Sequence, residues 1–270
     1  LSIRRQRQMC IRDRAQTLLL FMQLILALAS QEPIDTVLRD LQYVIRQCKG
    51  LAGYPLEPLA EILTNLVESL NGVPAYDELF ETLVEVTSTR EGEVSAARML
   101  LKRCEQQLNA DRPYDAIRVA GRALGRLYKH ESRQDCIHAL YLCGCAYERV
   151  GLLWAARGTL LAAASLATDE LWRYGDVTPT QALCYRRLKW LELQLGRLPH
   201  ILAWHQADSA VRCNLVDQGY DESRLSEGDL EFDMSLGILL LKTGFTELER
   251  LSTLPDILEG LGLVSASVAL

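Results

Sequence analysis

Apolar residues recur along this chain at steps of three and four. Leu59, Ile62, Leu63, Leu66, Val67 and Leu70 form one such stripe, the pattern of a helix that buries one face. Pro55 and Pro58 mark its start and Asn71-Gly72 its end, since proline suits a first turn and glycine follows a last one. Another helix follows Val73-Pro74 and carries Leu79, Leu83 and Val86. No stretch sustains an apolar–polar alternation bounded by hairpin signals, so no strand is predicted. The pattern predicts an all-α chain of about six helix pairs. These are 15–30 with 34–49, 56–71 with 75–88, 92–109 with 113–129, 133–150 with 153–168, 178–196 with 198–216, and 226–244 with 246–262. TDELWRYGDVTP, residues 168–179, reads as a long loop. LLLFMQLILALA, residues 18–29, is shorter than the roughly 20 residues needed to span a bilayer. It contains Gln23 and predicts a buried helix.

Small residues return at fixed intervals within these pairs. Gly144, Tyr147 and Gly151 are matched by Gly237, Leu240 and Gly244, with Gly196 in the equivalent place between them. Ala116 and Ala123 stand 40 residues before Ala156 and Ala163. Such a period marks stacked units, each too small to bury its own apolar face. Residues 136–168 resemble a tetratricopeptide repeat, with Gly144, Tyr147, Gly151, Ala156, Leu160 and Ala163 in the family's spacing. Repeats centred near 111, 196 and 244 are degenerate. The pairs before residue 90 match only by helix length and loop position. The resemblance implies a TPR-like α-solenoid, in which small residues let paired helices approach closely. Residues 15–90 are then degenerate N-terminal hairpins, and 91–270 are TPR-like repeats. Neither end looks like a polar cap, which implies truncation and leaves self-association through the uncapped ends open.

The first residues change where this organisation begins. A basic start, an apolar run and Ala27-Leu28-Ala29 before Ser30 have the parts of a secretory signal. However, Arg4 to Asp13 back-translates as CGT-CGG-CAG-CGT-CAG-ATG-TGT-ATA-AGA-GAC, which resembles the transposase adapter of short-read sequencing libraries. The adapter continues with AG, which requires Ser or Arg next, and residue 14 is Arg14. Residues 1–14 are therefore expected to be an adapter-derived leader, outside the fold in the way a fusion scar is. The natural sequence then begins no later than about Ala15, in mid-chain.

Without those residues the formal charge of −6 becomes −10, because five arginines and one aspartate leave. That acidity opposes nonspecific binding to nucleic acid or an anionic membrane, and neither partner is expected. Seven cysteines remain once Cys10 is set aside: Cys48, Cys104, Cys136, Cys143, Cys145, Cys184 and Cys213. An odd number in apolar helical stretches predicts reduced, mostly buried thiols and a cytoplasmic setting.

Catalytic patterns are not found. The chain has no phosphate-cradling glycine loop, no dinucleotide fingerprint and no nucleophile elbow. His200 and His205 are five apart and lie on different helix faces. Cys136, His138, Cys143 and Cys145 lack the spacing of zinc ligands, so helix packing is expected of them. DQGYDESRLSEGDLEFD, residues 217–233, resembles a calcium loop only in composition, and predicts a solvated loop with Ser226 as the next helix's N-cap. Arg186, Arg187, Lys189 and Trp190 form a basic–aromatic cluster expected on an exposed helix face or in contact with a peptide. No cofactor or metal is expected, and the chain is expected not to be an enzyme.

In the family it resembles, the first helix of each pair lines a concave face, where peptides or partner proteins bind. That resemblance carries the role to His138, Tyr141, Cys145, Glu148 and Arg149 in one repeat. In the next it falls on Leu183, Arg186, Trp190, Leu193 and Gln194. Arginine and aromatic side chains are the types that anchor recognition surfaces. The alternative is that these residues merely pack against neighbouring helices. The functional expectation is an interaction scaffold, a segment of a larger bacterial protein. The alternative is a sensor or regulatory arm of a multidomain signalling, defence or transcription-regulating protein whose effector domain is missing. An enzyme using the histidines or cysteines is the weakest reading. If residues 1–14 are adapter-derived, their deletion will leave the thermal unfolding midpoint unchanged. A loss of several degrees would show that they pack.

Overall fold

Proline opens several of the described helices, and left-handed turns end several. The computed structural model describes residues 15–20, 22–27, 34–47, 73–128, 132–175, 177–221 and 228–242, with Ser30, Leu63 and Leu70 besides. All regular structure among them is helical, so the fold is all-α. The chain divides into two compact units, Leu1–Ser132 and Arg133–Leu270. In the first, helical residues 15–20 and 22–27 precede α1 (Asp35–Gln47), α2 (Pro74–Glu91), α3 (Glu93–Asn109) and α4 (Pro113–Leu127). The second holds α5 (Arg133–Arg149), α6 (Leu153–Tyr174), α7 (Pro179–Gln194), α8 (Leu198–Asp217) and α9 (Asp229–Lys242). Proline stands in the first turn of α2, α4, α7 and α8, where its missing N–H has no helical partner to lose. Thr178 caps α7 by accepting the Gln181 N–H at 3.3 Å.

One turn closes three helix pairs. Asp111, Gly151 and Gly196 adopt φ of 54°, 77° and 67°. After each, the next residue's N–H reaches back across the last turn. Arg112 donates to the Gln107 carbonyl at 2.8 Å, Leu152 to Tyr147 at 2.9 Å and Arg197 to Glu192 at 3.0 Å. The left-handed residues themselves donate to Leu108, Glu148 and Leu193, which completes a Schellman turn in each case. Glycine adopts this backbone freely, and aspartate is among the few others that tolerate it. The turns reverse the chain, and α3 packs on α4, α5 on α6, and α7 on α8. These are the predicted pairs 92–109 with 113–129, 133–150 with 153–168, and 178–196 with 198–216.

Other expectations need correction. Residues 168–174 are helical rather than loop, and α6 ends only at Gly175, whose φ is 78°. Asp169 pairs with Arg173 one turn on at 3.1 Å and accepts from Arg133 of α5, so polar residues that read as loop extend the helix. The described residues of the run at 18–29 are buried on one face only. Leu20, Leu24 and Ala27 join Leu38, Leu41, Val44 and Ile45 in the first unit's core, while Leu18, Leu19, Met22, Ile25 and Leu26 are exposed. Among the described residues no helix is long and apolar enough to cross a membrane. The expected leader 1–14 and helix 246–262 lie outside the described residues, as does 56–71 apart from Leu63 and Leu70. Both leucines are fully buried, and Leu63 accepts the Tyr76 hydroxyl proton through its carbonyl at 2.8 Å.

The second unit's core runs along the α5–α6, α6–α7 and α7–α8 seams, through Ile137, Ala156, Leu160, Ala163, Leu188 and Val211. Among the described glycines, only Gly144 has another element within reach of an added Cβ. A Cβ there would lie 2.6 Å from Leu160 Cγ and 3.5 Å from the Ala156 carbonyl oxygen. The expected contact with Ala156 is present, and Leu160 is the tighter neighbour. Overpacking a core contact costs about 1–3 kcal/mol, so Gly144→Leu should destabilise the protein by that amount in denaturant melts. A neutral or stabilising result would mean that the α5–α6 seam opens without cost.

Candidate functional site

The residues expected to line a groove lie on α5 and α7, two helices of the second unit that touch each other. Glu148, from the last turn of α5, accepts from Arg187 Nε at 2.6 Å and from Gln194 Nε2 at 2.9 Å. Glu148 and Gln194 are thus brought together directly, and Arg187, expected in an exposed basic cluster, ties to the same carboxylate. Tyr141 and Cys145 lie behind this tie and share a side-chain hydrogen bond. Burial pushes both groups above their ordinary values, and for Cys145 it outweighs the thiolate-favouring charges of Arg187 and Arg149. Burial likewise pushes the Cys184 thiol up to about 12. Such thiols are poor nucleophiles at neutral pH. The described cysteines are free thiols; Cys104, Cys143, Cys145 and Cys184 are buried.

Arg149 is exposed, and His138, Arg186 and Leu193 are half-buried. Leu183 is exposed. The Nε of Arg186 is buried without a hydrogen-bond partner among the described residues. Trp190 is half-buried and meets the Phe232 ring of α9 edge-on, with centroids 5.3 Å apart.

Lys189 corrects the expectation of an exposed basic face. Its side chain is 0% exposed, and Nζ donates to Asp208 Oδ2 of α8 at 2.8 Å and to Asp229 Oδ1 of α9 at 3.0 Å. Asp208 is 0% exposed as well. The ammonium also sits 4.6 Å from the Phe232 ring centroid, a favourable cation–π geometry once desolvated. Arg212 of α8 donates to Asp229, completing a cluster of two cations and two carboxylates. Asp229 starts α9, within the helix expected over 226–244, but it is drawn into this cluster rather than solvated; Ser226 lies outside the described residues. Burial works to raise the Asp229 carboxyl, but hydrogen bonds from Lys189 and Arg212 prevail and hold it below the usual range.

A second tie crosses the α6–α7 seam. Buried Glu192 accepts from Arg157 Nε at 2.7 Å and pairs with Arg197 at 3.4 Å. Both guanidinium groups lie over exposed Trp154, at 6.0 and 5.6 Å from its centroid. His200 shares a hydrogen bond with Arg197 at 2.8 Å, and His205 stacks on Phe232 at 5.5 Å. Among the described residues no cluster of three His, Cys, Asp or Glu side chains could hold a metal ion. The second unit thus offers charge-paired seams and a tryptophan–arginine surface. No protein-family model and no curated protein matches the chain.

His205 makes the cluster sensitive to pH. Burial, and then the nearby Lys189 charge, lower its pKa below the ordinary 6.5. The unfolded chain therefore binds a proton more readily than the folded one as pH falls below about 6.5. Its contribution is intact above that pH and is lost as pH falls toward the folded value. His205→Phe keeps a ring on Phe232 and removes the titration. Between pH 7 and pH 5 this variant should lose less thermal stability than the parent protein. An identical pH dependence in both would show that His205 is free to protonate in place.

Proposed function

We propose that this chain is a TPR-like helical-repeat scaffold that binds a peptide or partner protein without catalysing a reaction. One observation carries the reading. The same left-handed Schellman turn closes successive helix pairs at Asp111, Gly151 and Gly196, 40 and then 45 residues apart. A recurring unit with a recurring reversal is the expected construction of a repeat array, whose extended surfaces serve recognition. Gly144 supports the same reading, because its close approach to Leu160 falls at the small-residue position of the best-matching repeat.

The proposed surface combines Arg149 and Arg186 with the edges of Tyr141 and Trp190. Glu148, Gln194 and His138 form its polar border. Arg186 supports it most directly, since its buried Nε lacks a hydrogen-bond partner among the described residues. A carboxylate-bearing peptide would meet such a cation through charge-assisted hydrogen bonds. The acidic balance of the chain sets affinity low and salt-sensitive rather than driven by long-range attraction.

Peptides selected from a displayed library should be enriched in Asp and Glu, and their affinities can be read by fluorescence anisotropy. A hydrogen bond to a charged group is worth about 1.5–3 kcal/mol, so Arg186→Ala should weaken binding by about tenfold or more. Arg149→Ala should weaken it less, and Arg173→Ala, on α6, should leave it unchanged. Unchanged affinity in both the Arg149 and Arg186 variants would place the binding surface elsewhere.

A further inference from the structure

The first unit contains a cleft of about 380 Å³ bounded by α2, α3 and α4, within the range of about 300–1,000 Å³ typical of small-ligand sites. Its lining is unusually rich in charge. Arg103, Arg112, Arg118 and Arg122 face Asp77, Glu81 and Asp115, leaving one cation in excess. Glu81 is occupied by Arg122 through two hydrogen bonds of 2.5 Å. Asp115 is shared by Arg112 at 2.5 Å and Arg118 at 2.9 Å. Arg118 is 74% exposed, so one of the two arginines on that carboxylate is able to turn to another acceptor.

Arg103 is the deepest of the four. Its side chain is 5% exposed, with Nη2 donating to Asp77 Oδ1 at 2.7 Å. The guanidinium carbon lies 4.7 Å from the Tyr76 ring centroid and 5.2 Å from that of Phe80, so the rings fix its position. The other terminal nitrogen, Nη1, is buried and has no acceptor among the described residues. Gln107, one turn further along α3, also lines the cleft, and its buried Oε1 has no donor among the described residues. Residues four apart on a helix are neighbours on one face, about 5–6 Å between Cβ atoms. The cleft therefore holds an unmet donor beside an unmet acceptor, and each costs free energy while unsatisfied.

We propose that this cleft binds a small monocarboxylate that carries a hydrogen-bond donor next to its carboxyl group. The carboxylate meets Arg103 Nη1 and recruits Arg118 at the mouth. The donor, an amide N–H or a hydroxyl, meets Gln107 Oε1. One negative charge matches the single excess cation, and a dicarboxylate would exceed it. N-acylated amino acids and 2-hydroxy acids both have this chemistry. The inference is independent of the peptide surface proposed for the second unit.

The test uses the full chain and four probes at equal ionic strength: N-acetylglycine, glycolate, acetate and sodium chloride. Shifts of the thermal midpoint are read against concentration. At least one donor-bearing acid should bind about tenfold more tightly than acetate, and the tighter of N-acetylglycine and glycolate identifies the donor. Gln107→Leu should abolish that preference while leaving the unliganded midpoint unchanged or raised, because it removes an unsatisfied buried acceptor. A merely structural glutamine would lower the midpoint and leave the preference alone. Arg118→Gln should weaken all three carboxylates while the protein stays folded, since that side chain is largely exposed. Equal responses to all four probes, or a preference that survives Gln107→Leu, would overturn the proposal.

Discussion

The buried ammonium of Lys189 is the constraint around which the last three described helices of the second unit are arranged. An uncompensated charge taken out of water costs several kcal/mol even after relaxation. The 0% exposure of Lys189 therefore requires both of its carboxylates, Asp208 on α8 and Asp229 on α9. Because the partners stand on different helices, a shift of either helix would strand a charge. The interaction need not add much net stability to have this effect. Its geometry penalises alternative packings of α7, α8 and α9, and Phe232 closes the cluster from the apolar side.

The first unit has a comparable device built differently. Arg103 is nearly as buried, but it has one carboxylate, Asp77, and two rings, Tyr76 and Phe80. A guanidinium suits that setting because it is planar, stacks on aromatic faces and is more weakly hydrated than an ammonium. It also has more donors than one carboxylate consumes. Lys189 is closed by its partners, whereas Arg103 has a buried nitrogen at the wall of a cleft with no acceptor among the described residues. That difference separates a packing element from a candidate binding element.

Much of the fold was legible in the sequence because it rests on local signals. Gly151 and Gly196 sit where the chain reverses, Pro113 and Pro179 where helices begin, and Gly144 where two helices nearly touch. These features follow from backbone sterics that each residue carries with it. Asp111 makes the same turn without glycine, and its reversal was legible only through the helix periodicity around it. The ion pairs were not legible. Lys189 lies 19 and 40 residues from its carboxylates, and Arg103 lies 26 from Asp77. In sequence, a lysine beside two arginines and a tryptophan looks solvated, since nothing local announces a distant partner. Nor did anything local announce that Glu148 accepts from Arg187 and Gln194, 39 and 46 residues away.

The central claim is that Lys189 and its carboxylates act as one unit that holds α7, α8 and α9 in place. A double-mutant cycle on Lys189→Met and Asp208→Leu, measured by denaturant unfolding, tests it most directly. Breaking one side of a buried pair typically costs about 3–5 kcal/mol, because the remaining charge is stranded. Each single variant should fall in that range, and the double variant should be more stable than their sum predicts by about 1–3 kcal/mol. Additivity within about 0.3–0.5 kcal/mol would contradict the account, since it would mean that the two charges do not depend on each other.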